Sequence, residues 1–394
     1  MLPLENFKIL DLSRLAAGNM VSHMFADFGA DVIKVEKPGK GDDLRNWQVN
    51  DIAHWWAVYS RNKRSLALNL KEKEGLNLLK ELVKSADVFI ENFVPGTLEK
   101  WGIGPDELSE LNKNLIILRI SGWGQTGIYK DAPGFGSLVE GMSGFASMIG
   151  EEDQKPLLPP LALADMVAGL TGFGAILMAL IASKKNQLGG QVIDLSLFEP
   201  LFSILGPWAA SYKISGKIPP RMGNRSNVAA PRGIYKTKDN KFVSLSASMQ
   251  SMWEKLAITI GARDLIKDIR FKTNSDRLSN QDDLDDIISK FIKKFDREPL
   301  LKKFSQAGIT VGPVLDISEI IEHPYVLDRE ILMEHYNSEY GNILMHQAFP
   351  RLNKTPGKVI NSAPSIGQNT DDVLKEIGIT KQQIKKLRKN KIIS

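Results

Sequence analysis

The chain of 394 residues contains no cysteine. This excludes disulfide bonds, thiolate metal sites and a cysteine nucleophile, and it fits a protein kept in a reducing cytoplasm. Histidine is also scarce, and the five histidines show none of the spacings typical of metal ligands. We therefore expect a protein that works without a bound metal.

Several widespread motifs are missing as well. There is no Walker A loop, GxSxG elbow or HExxH pair. The N-terminus, MLPLENFKIL, lacks the basic segment and apolar core of a signal peptide. The net charge of +5 is small for this length, and the basic residues at 381–391 are typical of a solvated helix face. We expect a cytoplasmic protein that binds no nucleic acid.

The first half of the chain contains short apolar segments that alternate with amphipathic ones. Near-continuous apolar strands separated by helices predict an α/β fold with a parallel sheet covered on both faces. Ligands of such sheets bind at the loops that follow the strands, and here those loops carry glycine and basic residues, which suits phosphate groups. The predicted strands are 7–12, 30–36, 65–70, 87–91, 114–121 and 191–195.

Asp165 precedes the longest uncharged run, 166–183. Taken alone, the local sequence favours a buried helix with Asp165 as its N-cap; the alternative is a carboxylate that faces a cleft and reacts. Glycines at 169, 172 and 174 suggest a packing or site requirement, because glycine inside a helix costs up to about 1 kcal/mol. The run is near the length of a membrane span, but small residues and the absence of a second span favour a core helix.

A GxGxxG pattern at 122–127 follows a predicted strand, as in dinucleotide-binding proteins. That fingerprint also needs a helix that begins at its end, and the following YKDAPG sequence breaks a helix. A dinucleotide-dependent oxidoreductase is therefore a weak alternative.

The sequences DLSRLAAG, ADVIKVEKPGKGD, NKRSLALNLK, ENFVPGTLEKWGIG, SGWGQTG, ADMVAGLTG and APRGIYKTKDNKFV occur in this order. In this order they resemble the class III (CaiB/BaiF, formyl-CoA transferase-like) CoA-transferases. The resemblance implies a Rossmann-like large domain, a smaller α+β domain and an interlocked homodimer. A Gly-, Pro- and basic-rich segment at 213–227 reads as a boundary. We therefore expect a large CoA-binding domain at 1–212, to which 331–394 returns, and a small domain with linkers at 213–330.

The resemblance also implies the chemistry. Asp165 would attack an acyl-CoA donor to form an aspartyl anhydride and then an aspartyl-CoA thioester, from which CoA passes to a small carboxylic acid. The coenzyme A contacts that it implies fall on the loop Arg14, Leu15, Ala16 and Ala17, on Asn92, Phe93 and Val94 of the ENF motif, and on Lys37, Leu68, Lys71 and Lys100.

Two departures from the family pattern bear on specificity. Ala16 stands where the formyl-CoA branch has Gln, and the small domain has no GGGG-type loop, so oxalate or formate chemistry is not expected. The related 2-methylacyl-CoA racemases use a His in an AGHD-like motif, and Phe135 occupies that place here. Since Phe cannot exchange a proton, a transferase is favoured over a racemase. Trp47 aligns near a Trp that borders the substrate pocket in the formyl-CoA branch. Besides a racemase and an oxidoreductase, a non-catalytic CoA-binding scaffold is a third alternative to a transferase.

Overall fold

The computed structural model describes residues 1–394. The strands are β1 (Lys8–Asp11), β2 (Asp31–Glu36), β3 (Arg64–Ala67), β4 (Val88–Glu91), β5 (Ile116–Ser121), β6 (Val192–Ser196), β7 (Arg232–Lys236), β8 (Phe242–Ser246), β9 (Val311–Val314), β10 (Leu332–Asn337) and β11 (Gly341–His346). The helices are α1 (Leu15–Asp27), α2 (His54–Tyr59), α3 (Lys73–Val83), α4 (Thr97–Lys100), α5 (Pro105–Leu111), α6 (Gly136–Met142), α7 (Phe145–Met148), α8 (Leu163–Asn186), α9 (Phe198–Ser203), α10 (Trp208–Ser215), α11 (Gln250–Thr259), α12 (Asn274–Ser279), α13 (Gln281–Ile292), α14 (Arg297–Gln306), α15 (Ile317–Ile321), α16 (Pro324–Asp328), α17 (Thr370–Glu376) and α18 (Lys381–Lys389).

The six strands β1 to β6 form one parallel sheet in the order β3-β2-β1-β4-β5-β6. This confirms the predicted α/β class, and the order is that of Rossmann-type sheets. The chain changes direction across the sheet between β1 and β4. In sheets of this order the ligand binds beyond the carboxyl ends of the strands near this change of direction.

Apolar side chains cover both faces of this sheet because successive residues of a strand point to opposite sides. Ile9 and Ile90 belong to the core formed with α1 and α8. Leu10 and Phe89 belong to the core formed with α3, α5, α17 and α18. These four side chains are fully buried, and each contributes about 1.5–3 kcal/mol by leaving water.

Helix α8 packs against α1 at unusually short range. A Cβ on Gly169 would lie 2.6 Å from Met20 Cβ and 3.0 Å from the Ala17 carbonyl oxygen, and one on Gly172 would lie 3.0 Å from Val21. The two glycines therefore meet a packing requirement, as their cost in a helix indicated. By length and composition α8 could cross a membrane, and 33% of its most hydrophobic stretch is buried inside the protein.

A second compact unit comprises residues 147–157 and 217–329. It contains the antiparallel sheet β7-β8-β9 and helices α11 to α16, so it is of the α+β kind. The sequence GIYKTKDNKFVSLSA at 233–247 predicts a hairpin that turns at Asp239-Asn240, and β7 pairs with β8 around a turn in which Asn240 has a φ of 63°. Its core includes the fully buried side chains of Trp253, Phe271 and Phe304.

Two sequence-based boundaries are wrong. The local sequence predicts a first helix over 19–28, which would begin at Asn19, but α1 begins at Leu15. The third strand was expected to reach Leu70, but β3 ends at Ala67, and Leu68 pairs with Ile393 near the C-terminus instead. Both ends are fixed by residues distant in the sequence, which local patterns do not report.

Candidate active site

A cleft of about 510 Å³ opens at the carboxyl ends of β1, β2, β3 and β4 and is lined by the loops that follow these strands. Its position is the one expected for the ligand of a sheet with this strand order. Six of the predicted coenzyme A residues line it: Arg14, Lys37, Leu68, Lys71, Phe93 and Val94. Residues that the sequence reasoning did not assign also contribute, namely Lys40, Leu70, Thr97 and Trp101.

The loop after β1 is held by side chains from two other loops. Asn92 Oδ1 accepts the Arg14 N–H at 2.8 Å, and its amide donates to the Arg14 carbonyl at 2.7 Å. Asp42 Oδ1 accepts the N–H of Leu15 at 2.9 Å. Leu15 has a φ of 61°, a conformation that costs a non-glycine residue about 1–2 kcal/mol. These contacts fix the turn from which α1 starts.

Beneath this loop lies a buried group of charges. Lys34 Nζ is 2.9 Å from Asp42 Oδ2 and 3.2 Å from Asp11 Oδ1. Burial alone would raise the pKa of Asp42, but Lys34 and the N–H groups of Leu44 and Leu15 outweigh it and hold the pKa below its usual value. Asp42 therefore stays ionised at neutral pH and keeps its hold on the loop.

Asp165 lies in the first turn of α8, as its third residue. The N-cap position is Ala162, which has no side-chain cap bond, so the capping alternative for Asp165 is wrong. The helix begins earlier than the sequence suggested because Glu140 Oε1 accepts the N–H of Ala164 at 3.2 Å. The Asp165 carboxylate is half-buried, and Asp165 is not the residue that caps the start of the helix.

The surroundings of Asp165 make its carboxylate unusually basic. Burial, and then the negative charge of Glu140, raise its pKa to about 6. Hydrogen bonds from its own N–H and from the N–H of Ala17 act in the opposite direction. Above pH 6 the group is an anion of raised basicity, which is the state that a carboxylate nucleophile requires.

Gly136 leaves one side of this carboxylate uncovered. A Cβ at Gly136 would lie 2.7 Å from Asp165 Oδ2, closer than any real contact allows. A side chain there would displace the carboxylate or cover it. The space above Oδ2 is therefore open only because residue 136 is glycine.

The remaining predicted residues divide into two groups. Ala16 and Ala17 are buried in the first turn of α1, and the N–H of Ala17 donates to the Asp165 carboxylate. Lys100 is exposed at the end of α4 and does not line the cleft. Trp47 packs edge-on against Trp55, with ring centroids 4.9 Å apart, in a small aromatic cluster.

The glycine pattern at 122–127 does not open a helix, since α6 starts only at Gly136. Two of its N–H groups are already paired, that of Gly124 with Ser121 Oγ and that of Gln125 with Asp194. Gly122 lies against Gly134: a Cβ on Gly122 would lie 2.6 Å from the Cα of Gly134. The loop is closed on itself, unlike a dinucleotide-binding turn.

Together, the fold and the site define an α/β protein with a cleft of about 510 Å³ at the carboxyl ends of its central strands and a half-buried carboxylate of raised pKa in the first turn of α8. The family model for CoA-transferase family III matches residues 4–370, and the chain belongs to that family.

Proteins of known activity resemble it over nearly its whole length. It is 34% identical to the succinyl-CoA–D-citramalate CoA-transferase of Chloroflexus aurantiacus, over 99% of this chain and 98% of that protein. It is 32% identical to the human succinyl-CoA:glutarate CoA-transferase, over 95% of this chain and 86% of that protein. The crystal structure of a CaiB/BaiF family protein from Brucella suis matches with a TM-score of 0.85 and 31% identity, covering 95% of this chain and 99% of that chain.

Replacement of Gly136 by Ala tests the open side of the carboxylate. We expect CoA transfer to fall by roughly tenfold or more, because a displacement of about 1 Å at a reacting group can cost up to about a hundredfold. Gly141→Ala on the same helix is the matched control, since an added methyl there meets nothing within 4 Å. Steady-state rates equal to wild type in Gly136→Ala would contradict the geometry.

Asp165→Asn tests the electrostatics through stability. A folded-state pKa of about 6, above the ordinary 3.8, means that the ionised group destabilises the fold above pH 6 and has no such effect below about pH 4. At pH 8 we expect Asn to raise the free energy of unfolding by about 1–2 kcal/mol, allowing for partial exposure. Urea unfolding should show this gain shrinking between pH 6 and 4; a variant less stable than wild type at pH 8 would refute it.

Proposed function

We propose that this enzyme moves CoA from an acyl-CoA donor to a carboxylic acid acceptor through covalent intermediates on Asp165. The observation that carries the proposal is the position of the Asp165 carboxylate. It lies in the first turn of α8 but is not the N-cap, it is not covered by a side chain at Gly136, and it accepts the N–H of Ala17. Ala17 follows directly on the loop whose Arg14 lines the cleft of about 510 Å³. The cleft and the carboxylate are therefore joined by four consecutive residues.

The chemistry begins with attack of the carboxylate on the donor. An Asp165 oxygen forms a bond to the thioester carbonyl, the C–S bond breaks, and CoA leaves as a thiolate. The thiolate attacks the aspartyl carbonyl of the mixed anhydride, releasing the donor acid and leaving an aspartyl-CoA thioester. Attack by the acceptor carboxylate expels the thiolate again, and its return to the acceptor's acyl carbon gives the new acyl-CoA and free Asp165.

This chain's own groups would support each of those steps. The N–H of Ala17 can donate to the oxyanion that forms at Asp165, because it is held by a loop that cannot move away. Asp42 and Asn92 fix that loop. Partial burial of Asp165 limits the water that could hydrolyse the anhydride.

We further propose succinyl-CoA as the donor and a five-carbon dicarboxylic acid as the acceptor. The relatives named above act on succinyl-CoA with D-citramalate or glutarate. The basic side chains of Arg14, Lys37, Lys40 and Lys71 line the proposed coenzyme cleft, where they suit the phosphates of coenzyme A.

Trapping the intermediate tests this function. After incubation with succinyl-CoA, borohydride reduction or hydroxylamine should modify Asp165, as located by peptide mass spectrometry, and Asp165→Asn should yield no adduct and no transfer. Exchange kinetics should be ping-pong. An enzyme that transfers CoA without any modification of Asp165, or that instead exchanges the α-proton of an acyl-CoA for deuterium without an acceptor, would contradict the proposal.

We also infer a homodimer, interlocked as the resemblance implies, and a cytoplasmic location. Apolar side chains are exposed along α8 and the segment after it, and exposed apolar side chains grouped on one element are typical of a protein–protein interface. They include Leu170, Met178, Ile181, Ile204 and Ile214.

Sedimentation equilibrium measures this assembly directly. The expected mass is about twice the 43.8 kDa of one chain, stable to dilution, because an interlocked pair cannot separate without unfolding. A species of one chain's mass at working concentrations would refute the dimer.

A further inference from the structure

Glu140 on α6 is a buried carboxylate to which the transfer chemistry assigns no step. Only 2% of it is exposed, and it forms no ion pair with any Lys, Arg or His. Burying a carboxylate without a cation is costly, so its position calls for a compensating role. Its one strong contact is the N–H of Ala164, which Oε1 accepts at 3.2 Å.

That contact does the work of a missing N-cap. The first N–H groups of a helix have no partner within the helix, and Ala162 supplies no side chain to accept them. Asp165 could turn back and accept such an N–H in the absence of another acceptor, as acidic residues in the first turn often do. Glu140 accepts the Ala164 N–H from a neighbouring helix, so the Asp165 carboxylate does not have to accept it and bonds only its own N–H and that of Ala17.

Glu140 also places a second negative charge near the first. Gly136 lies between the two carboxylates: a Cβ there would be 2.7 Å from Asp165 Oδ2 and 3.8 Å from Glu140 Oε1. A like charge at this range destabilises the anionic form of its neighbour, which makes that neighbour more basic and a stronger nucleophile.

We propose that Glu140 is a positioning residue for CoA transfer: it caps α8 in place of Asp165, and its charge keeps the Asp165 carboxylate reactive. This inference rests on the proposed function, because it assigns a role only if Asp165 is the nucleophile.

Other charged groups on the elements packed against α8 are engaged elsewhere. Those elements are α1, α6, α9, β5 and β6. On β5, the Arg119 guanidinium pairs with Glu91 and Glu99. The other groups and their partners are Asp27 with Arg61, His23 beside Asp27, Glu199 with Ser196 Oγ, and Asp194 with the N–H of Gln125. Burial and Glu140 are the two influences that raise the pKa of Asp165.

Two variants separate the charge of Glu140 from its contact. Glu140→Gln keeps an oxygen that can accept the Ala164 N–H but removes the charge. Glu140→Asp keeps the charge and shortens the reach. The exposed Glu110 on α5 provides the control Glu110→Gln, which should behave as wild type.

The readout is the pH profile of kcat/KM for CoA transfer from succinyl-CoA, with Tm as a check of folding. Wild type should lose activity as the pH falls through about 6. In Glu140→Gln this acid limb should move down by about 0.5 pH unit or more, and kcat at pH 8 should fall roughly three- to tenfold, because a less basic carboxylate is a weaker nucleophile. In Glu140→Asp the acid limb should stay in place while Tm falls.

An acid limb in Glu140→Gln that coincides with wild type would overturn the inference, as would an equal shift in Glu140→Asp. If Glu140→Gln does not fold, Glu140→Asp decides alone: an unmoved limb supports the role of the charge, and a lowered one refutes it. Borohydride trapping on wild type is run alongside. An adduct at Asp165 with an unshifted Glu140→Gln profile rejects only this inference, whereas no adduct rejects the proposed function itself.

Discussion

The site depends on the close contact between α8 and α1. Gly169 and Gly172 let the two helix backbones approach until a single added carbon would collide with Met20 or Val21. Any larger residue would push α8 outward and carry Asp165 away from the N–H of Ala17. The same contact buries one side of α8 in the sheet's core and leaves the other side, with Met178 and Ile181, exposed.

From that contact the remaining parts of the site follow in order. The first turn of α1 is fixed by Asp42 and Asn92, so Ala17 presents its N–H at a defined place. The N–H of Ala164 in the first turn of α8 is accepted by Glu140 from α6, so Asp165 does not have to accept it. Asp165 is partly desolvated and lies near the negative charge of Glu140. Both effects make a carboxylate more basic than one on the surface, and they raise the pKa of Asp165 to about 6.

Much of the fold could be predicted from the sequence, because near-continuous apolar strands alternating with helices permit few arrangements. The sequence motifs also predicted residues of the cleft. Its lining includes Arg14, Lys37, Leu68 and Lys71, which are far apart in the chain. Lys100 belongs to one of those motifs but lies outside the cleft, since a motif does not say which way a helix-end side chain points.

What the sequence could not reveal depends on contacts between distant segments. Local propensity favours Asp165 as an N-cap, but the helix start is set by Glu140, which lies 24 residues away from Ala164. Residues 136–142 contain two glycines and only a short apolar pattern, which does not predict a helix. The sequence therefore predicted neither α6 nor a role for Gly136 or Glu140 at the site. The left-handed backbone conformation of Leu15 likewise could not be predicted from the sequence, because it depends on contacts of this loop with Asp42 and Asn92.

The most direct test is a crystal structure of the Asp165→Asn variant with succinyl-CoA bound. The account predicts the phosphates beside Lys37 and Lys71, the pantetheine arm passing over the loop 14–17, and the thioester carbonyl carbon in van der Waals contact with the side chain of residue 165 above Gly136. A coenzyme bound elsewhere, or a thioester that ends far from residue 165 with that side chain shielded, would contradict it.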